Sequence, residues 1–189
     1  MVSVCVPNRT EPRFNVIENS DSRRAIAFEL GEAIDILVRD RMKGLVEEPD
    51  ITSRIGQMLE YKFDGKLISG YRVRVITETI PSHGVRSLEK PMGTDLYIAI
   101  SSEDRSGKVK SKAVLVQAKR DNKINKSELT EQCRRMTMIT KKGSVVWIYT
   151  KNGVNVIRST DVERRSDAVF RNHDLFERVF ECMLIATEN

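Results

Sequence analysis

The chain has 189 residues, of which 40% are hydrophobic and 31% charged, with 32 Lys and Arg against 27 Asp and Glu for a net charge of +5. This balance suits one globular domain long enough to bury a core, and with no run of eighteen apolar residues a transmembrane helix is excluded. Three scattered cysteines (Cys5, Cys133, Cys182) and two histidines (His83, His173) form no zinc-ligand spacing and fit a reducing cytoplasm.

Residues 1–20 hold Pro7, Pro12, Asn8, Asn15 and Asn19 with little periodicity, and read as an extended arm. They lack the basic-then-apolar order of a signal peptide. Ser20 or Asp21 caps a helix that repeats Ile26, Leu30, Ala33, Ile34, Leu37 and Leu45 and stops near Gly44. Its Glu29 and Glu32 are rival candidates for a catalytic acid, or surface partners of Arg23, Arg24 or Arg39. A second helix starts at Pro49-Asp50, with Asp50 as cap and Ile51, Ile55, Met58, Leu59 and Phe63 on one face. Glu60 lies at the edge of that face. Asp64-Gly65 and Ser69-Gly70 break the pattern before an alternating strand at 71–76. Residues 81–93 form a loop of a length that signifies function or mobility; its His83 either touches phosphate or has no role.

The pattern that matters most lies in two short runs, 93–100 and 112–120, joined by a polar hairpin loop at 101–111 short enough to make them antiparallel neighbours. In the second run Val114, Val116 and Ala118 point one way, and Leu115, Gln117 and Lys119 the other. Gln117 and Lys119 thus share a face, roughly 6–7 Å apart along it. Pairing of the runs brings Asp95 to the same spot. A carboxylate, an amide oxygen and an ammonium at one sheet edge make a hydrolytic metal site. The plainer alternative is an Asp that caps a turn and a Lys on a strand edge.

A polar turn at 121–125 leads to a helix over 126–140 with Leu129, Cys133, Met136 and Ile139 or Thr140 in register, leaving Gln132, Arg134 and Arg135 off the stripe. Residues 144–150 are a continuous apolar strand, central to the sheet, and 151–153 turn into a partner strand at 154–158. The strand-helix-strand unit is expected to be a right-handed parallel crossover. A last helix at 174–187 presents Phe176, Val179, Phe180, Met183 and Leu184, for packing on the sheet or for dimerisation. Between residues 105 and 142 stand twelve Lys and Arg against three acids. A basic block around a metal site suits a phosphate backbone; a solvated surface is its ordinary reading.

Gly93-Thr94-Asp95 followed by Gln117-Ala118-Lys119-Arg120 resembles the PD-(D/E)xK, or restriction-endonuclease-like, nucleases, and most closely their Mrr-like branch, where Gln replaces the second acid. The resemblance spans about residues 50–158 in element order. It implies a three-layer α/β/α fold around a mixed sheet of four to five strands, in one domain: arm and helix at 1–48, core at 50–158 and a C-terminal helical segment at 159–189. It also implies a Mg²⁺- or Mn²⁺-dependent DNA endonuclease, as in restriction or defence against foreign DNA, or a catalytically inactive nucleic-acid-binding or interaction module on the same fold.

In that scheme Asp95 is the main metal ligand, Gln117 offers its amide oxygen and Ala118 its backbone carbonyl. Glu60 adds a contact through water, unless it is a helix-surface partner of Arg54. Lys119 orients or deprotonates the attacking water and stabilises the pentavalent phosphate. Arg120, Lys123, Lys126, Gln132 and Arg135 face the nucleic acid, double-stranded DNA in this reading. Two-strand cleavage by one site per chain favours a homodimer, and the chain could be the effector domain of a longer protein or complex.

Overall fold

Buried Val73 and Val75 alternate with exposed Arg72, Arg74 and Ile76, the signature of a strand with one dry face. Its neighbours extend it into a sheet. A computed structural model describes residues 16–44, 47–80, 92–140, 142–164 and 168–181. Over these the fold is α/β, with one seven-stranded, mostly antiparallel mixed sheet and five helices. In chain order they are α1 (Ser20–Met42), α2 (Glu48–Phe63), β1 (Lys66–Ile68), β2 (Tyr71–Thr79), β3 (Leu96–Glu103), β4 (Val109–Arg120), α3 (Lys126–Ile139), β5 (Ser144–Thr150), β6 (Gly153–Arg158), α4 (Ser159–Glu163), β7 (Phe170–Arg171) and α5 (Asn172–Phe180).

Strand order follows chain order from β1 to β7, and only β4 and β5 pair in parallel, joined through α3. The sheet separates two apolar clusters. The larger packs α1, α2 and α5 (Ile34, Leu59 and Phe176 among them) on Val75, Ile98, Val116, Ala118 and Trp147. The smaller packs Leu129, Cys133 and Met136 of α3 on Leu115, Val146 and Ile148. Helices therefore cover both faces of β4 and β5, and their strands read as continuous apolar runs for that reason. None of the described helices is long and apolar enough to cross a membrane.

The sheet has seven strands where four to five were expected. The additional pair, β1 and β7, are edge strands of three and two residues, too short for alternation to register. Caps shift as well. Asn19, not Ser20 or Asp21, caps α1 by accepting from Ser22 N. Asp50 lies inside the first turn of α2, which begins at Glu48. The hairpin loop shrinks to 104–108, because β3 and β4 pair out to Glu103 and Val109. Helix α4 was not expected, and α5 starts at Asn172, before the expected 174.

Ser102 Oγ donates to the Val16 carbonyl (2.5 Å) and Val16 N to the Phe180 carbonyl (2.6 Å), so the end of the expected arm belongs to the core. Cys5, residues 81–91 with His83, and Cys182, Met183 and Leu184 lie outside the described residues.

The basic block does not form one patch. Nine strand positions separate Lys110 from Lys119, about 30 Å at 3.3 Å per residue. Lys110 is paired with Glu18 at the far end (2.6 Å), and Lys112 is buried.

Candidate functional site

The site follows from two strands of unequal reach. Leu96, the first residue of β3, pairs with Val116, while β4 runs on to Arg120. Among the described residues, the backbone groups of β4 beyond Val116 that point away from β5 thus face an edge with no strand beside it. Asp95 N donates to the Val116 carbonyl (2.9 Å), closing the ladder one residue before β3 begins. From there alternation sends the N–H groups of 118 and 120 to the open edge and those of 117 and 119 towards β5.

Carboxylates meet both open donors. Asp95 Oδ2 accepts from Ala118 N (2.7 Å), and Glu48 Oε2 from Arg120 N (2.7 Å). The two N–H groups lie roughly 7 Å apart, two strand steps. Between them the Ala118 carbonyl faces the same edge. An edge built to add a strand has here been occupied by two acids.

Gly-Thr-Asp earns its order residue by residue. Gly93 has φ 68°, and a Cβ there would lie 2.4 Å from the carbonyl oxygen of Gln132, so only glycine lets the chain pass this close to α3. Thr94 is fully buried, and its hydroxyl donates to the carbonyls of Val116 (2.8 Å) and Leu96 (3.2 Å). Both bonds orient Asp95 at the mouth of β3.

Gln117 is fully buried and its Nε2 donates to Asp95 Oδ2 (2.5 Å) and to the Ala118 carbonyl (3.3 Å). That leaves the amide oxygen, Oε1, buried with no hydrogen-bond partner among the described residues. Such an orphan costs about 1–3 kcal/mol unless an electropositive group meets it. Lys119 is nearly buried; its Nζ stands 3.8 Å from Glu48 Oε1 and 4.0 Å from Glu128 Oε1. Glu128 in turn accepts from Gln132 Nε2 (3.4 Å). Burial pushes the Glu48 carboxyl above its usual range, and Lys119 and the Arg120 amide pull it partly back. Beneath the edge, Thr52 Oγ1 and the Tyr149 hydroxyl share a hydrogen bond of 2.9 Å; burial holds that phenol far above its usual range.

The expected residues divide. Asp95, Gln117, Ala118 and Lys119 come together. Glu60 does not join them: its Oε1 accepts from Thr77 N (2.6 Å) and Thr77 Oγ1 (2.9 Å), at the part of β2 that β1 is too short to cover. The α2 acid beside Lys119 is Glu48, which periodicity could not single out from the first-turn acids around Pro49. Glu128 was also missed, as one more acid in a helix's first turn. Gln132 is buried against Glu128 and does not face outward. Arg135 bonds Glu131 (3.0 Å) and Lys123 bonds Glu47 (3.2 Å), while Lys126 is exposed. Of the rival acids, Glu29 pairs with Lys66 and Glu32 with Arg39.

No protein-family model, curated protein or solved structure matches the chain.

The donors of the site are all oxygen: the carboxylates of Asp95 and Glu48, the Gln117 amide and the Ala118 carbonyl. Among the described residues no three Asp, Glu, His or Cys side chains gather closely enough to hold a metal by themselves. An all-oxygen set with one or two carboxylates is the kind a hard ion such as magnesium or manganese takes while keeping several waters.

Proposed function

We propose that the chain is a metal-dependent endonuclease of the PD-(D/E)xK type, hydrolysing phosphodiester bonds in DNA with Mg²⁺ or Mn²⁺. The observation that carries this reading is the meeting of Asp95 with Gln117 and Ala118 at the open end of β4, with Lys119 next along the strand. The element order supports it: α2, the β2–β3–β4 meander, α3 and parallel β5, with helices on both faces. On this reading the fold is the restriction-endonuclease-like three-layer α/β/α, extended by β1, β6 and β7.

Hydrolysis needs an activated water, neutralised phosphate charge and a stabilised leaving oxygen. A divalent ion, when bound, supplies Lewis acidity towards water and a phosphate oxygen. Asp95 and the Ala118 carbonyl would hold it, and Gln117 Oε1 would join them once the amide turns over from the orientation in which Nε2 faces both. Lys119 presents an ammonium to the phosphate as negative charge builds on it. Glu48 and Glu128 hold that ammonium from two sides. Gln117 in place of an acid weakens metal binding but repels the incoming phosphate less.

Supercoiled plasmid incubated with the protein and Mg²⁺ or Mn²⁺ tests the reading. Nicking is expected, with a loss of roughly 10²–10³-fold in Asp95→Asn and in Lys119→Ala. A folded protein that cuts neither DNA nor RNA with either metal would overturn it. The sparse carboxylate set favours one second reading, a nuclease-like module that binds nucleic acid without turnover. Its mark would be affinity that falls steeply with salt and no cleavage.

A further inference from the structure

Lys119 and Arg120 are adjacent on β4, so their side chains leave the strand in opposite directions. Lys119 enters the site described above. Arg120 lines a separate cavity of about 560 Å³ at the carboxyl ends of β4 and β5, within the size range of small-ligand sites. The ends of parallel strands are where open α/β sheets take their ligands.

Three cationic residues from three separate elements line this cavity: Arg120 from β4, Lys151 from the β5–β6 turn and Arg171 from β7. Among the described residues of the lining, Asp121 is the single carboxylate. Neither Lys151 nor Arg171 forms an ion pair among the described residues, unlike Lys123 and Arg135 near by. The backbone of Arg171 is held in place: its N–H donates to Asp174 Oδ2 (3.1 Å), and its residue pairs with Asn155 across β6 and β7. Asn122 and Asn155 bring amides that both donate and accept. Among its described lining residues there is no aromatic ring on which a base could stack. Two guanidiniums suit phosphate, which they grip through paired N–H groups. The amides and Asp121 suit sugar hydroxyls.

We propose that this cavity is a sugar-phosphate subsite that takes one nucleotide unit, recognised through its phosphate and sugar and not its base. In a nucleic-acid strand that unit would lie farther along the strand than the phosphate that meets Lys119. The strand source rests on the nuclease reading; the ligand chemistry does not.

The experiment uses the full chain in EDTA, where no turnover occurs, and measures binding of a fluorescent single-stranded oligonucleotide by anisotropy. A nucleoside 5′-monophosphate and inorganic phosphate serve as competitors. The double variant Arg171→Ala/Lys151→Ala is compared with Arg74→Ala, an exposed cation on β2. The double variant is expected to bind at least ten-fold more weakly, with the slope of log affinity against log salt reduced by about one for each phosphate it no longer neutralises. Arg171→Lys should recover part of the affinity. Displacement by the monophosphate identifies a free nucleotide as a sufficient ligand; displacement by unlabelled strand alone identifies the strand, and either outcome supports the subsite.

Unchanged affinity and salt slope in the double variant overturn it. The two readings fail separately. Plasmid cutting with a double variant unaltered in binding and KM sinks the subsite alone. No cutting by the parent, with oligonucleotide affinity still reduced in the double variant, sinks the nuclease alone.

Discussion

A Cβ placed at Gly93 would meet the Gln132 backbone at 2.4 Å, whereas one at Gly65 meets nothing within 4 Å, although both residues have positive φ (68° and 73°). The pair separates two costs. Gly65→Ala should lose only the left-handed backbone penalty, roughly 1–2 kcal/mol. Gly93→Ala should lose that and more, because the chain must move off α3 and carry Asp95 with it. Urea unfolding of both variants checks the difference. A second test lies one strand away. Gln117→Glu would set a second carboxylate where Nε2 now donates to Asp95, two like charges about a hydrogen bond apart. The variant should melt below the parent in EDTA and regain more stability than the parent when Mn²⁺ is added. Equal responses to Mn²⁺ would remove Gln117 from the metal site.

At the scale of elements, Asp35 joins three of them. From α1 its Oδ1 accepts from Val154 N on β6 (2.8 Å) and from Asn172 Nδ2 at the start of α5 (2.9 Å). Burial is the strongest influence on its carboxyl and raises it above the ordinary 3.8, against the pull of both hydrogen bonds. The folded state therefore holds this proton more tightly than the unfolded chain does. Stability contributed here falls as pH rises from 3.8 through the raised folded value. Asp35→Asn keeps an acceptor for both donors and abolishes the titration. The unfolding free energy of the parent relative to the variant should therefore decrease as pH rises across that window, the lowered carboxyls of Glu18, Asp40, Asp104 and Glu131 and the raised one of Glu48 acting alike in both proteins.

For the whole molecule, the larger apolar cluster runs through α1, α2, α5 and strands from β1 to β6 without a break. That continuity predicts one cooperative unfolding transition. Trp147 is the single tryptophan and is fully buried in that cluster, so its fluorescence reports on the core. Its transition in urea should coincide with that of far-ultraviolet circular dichroism. Phe180→Ala, which empties a fully buried position where α5 meets α1 and the sheet, should cost about 3–5 kcal/mol and shift both transitions together. Separate midpoints would mean that α5 and the sheet melt as distinct units.

Alternation and helical period are local consequences of backbone geometry, and by themselves they determined the five long strands, the helices α1, α2, α3 and α5, and the common face of Gln117 and Lys119. The Gly-x-Asp step before β3 was legible for the same reason: a turn residue followed by an acid and an apolar run. Only the tertiary structure decided the rest. β3 begins opposite Val116 and leaves β4 an open edge, so the identity of the acids there depends on which helix end arrives. Glu48 arrives and Glu60 is drawn to Thr77, although both lie on α2. The basic block likewise divides because β4 is long enough to carry its cations to opposite ends of the sheet. Pairings between residues distant in the chain have no periodicity, and no local pattern could have revealed them.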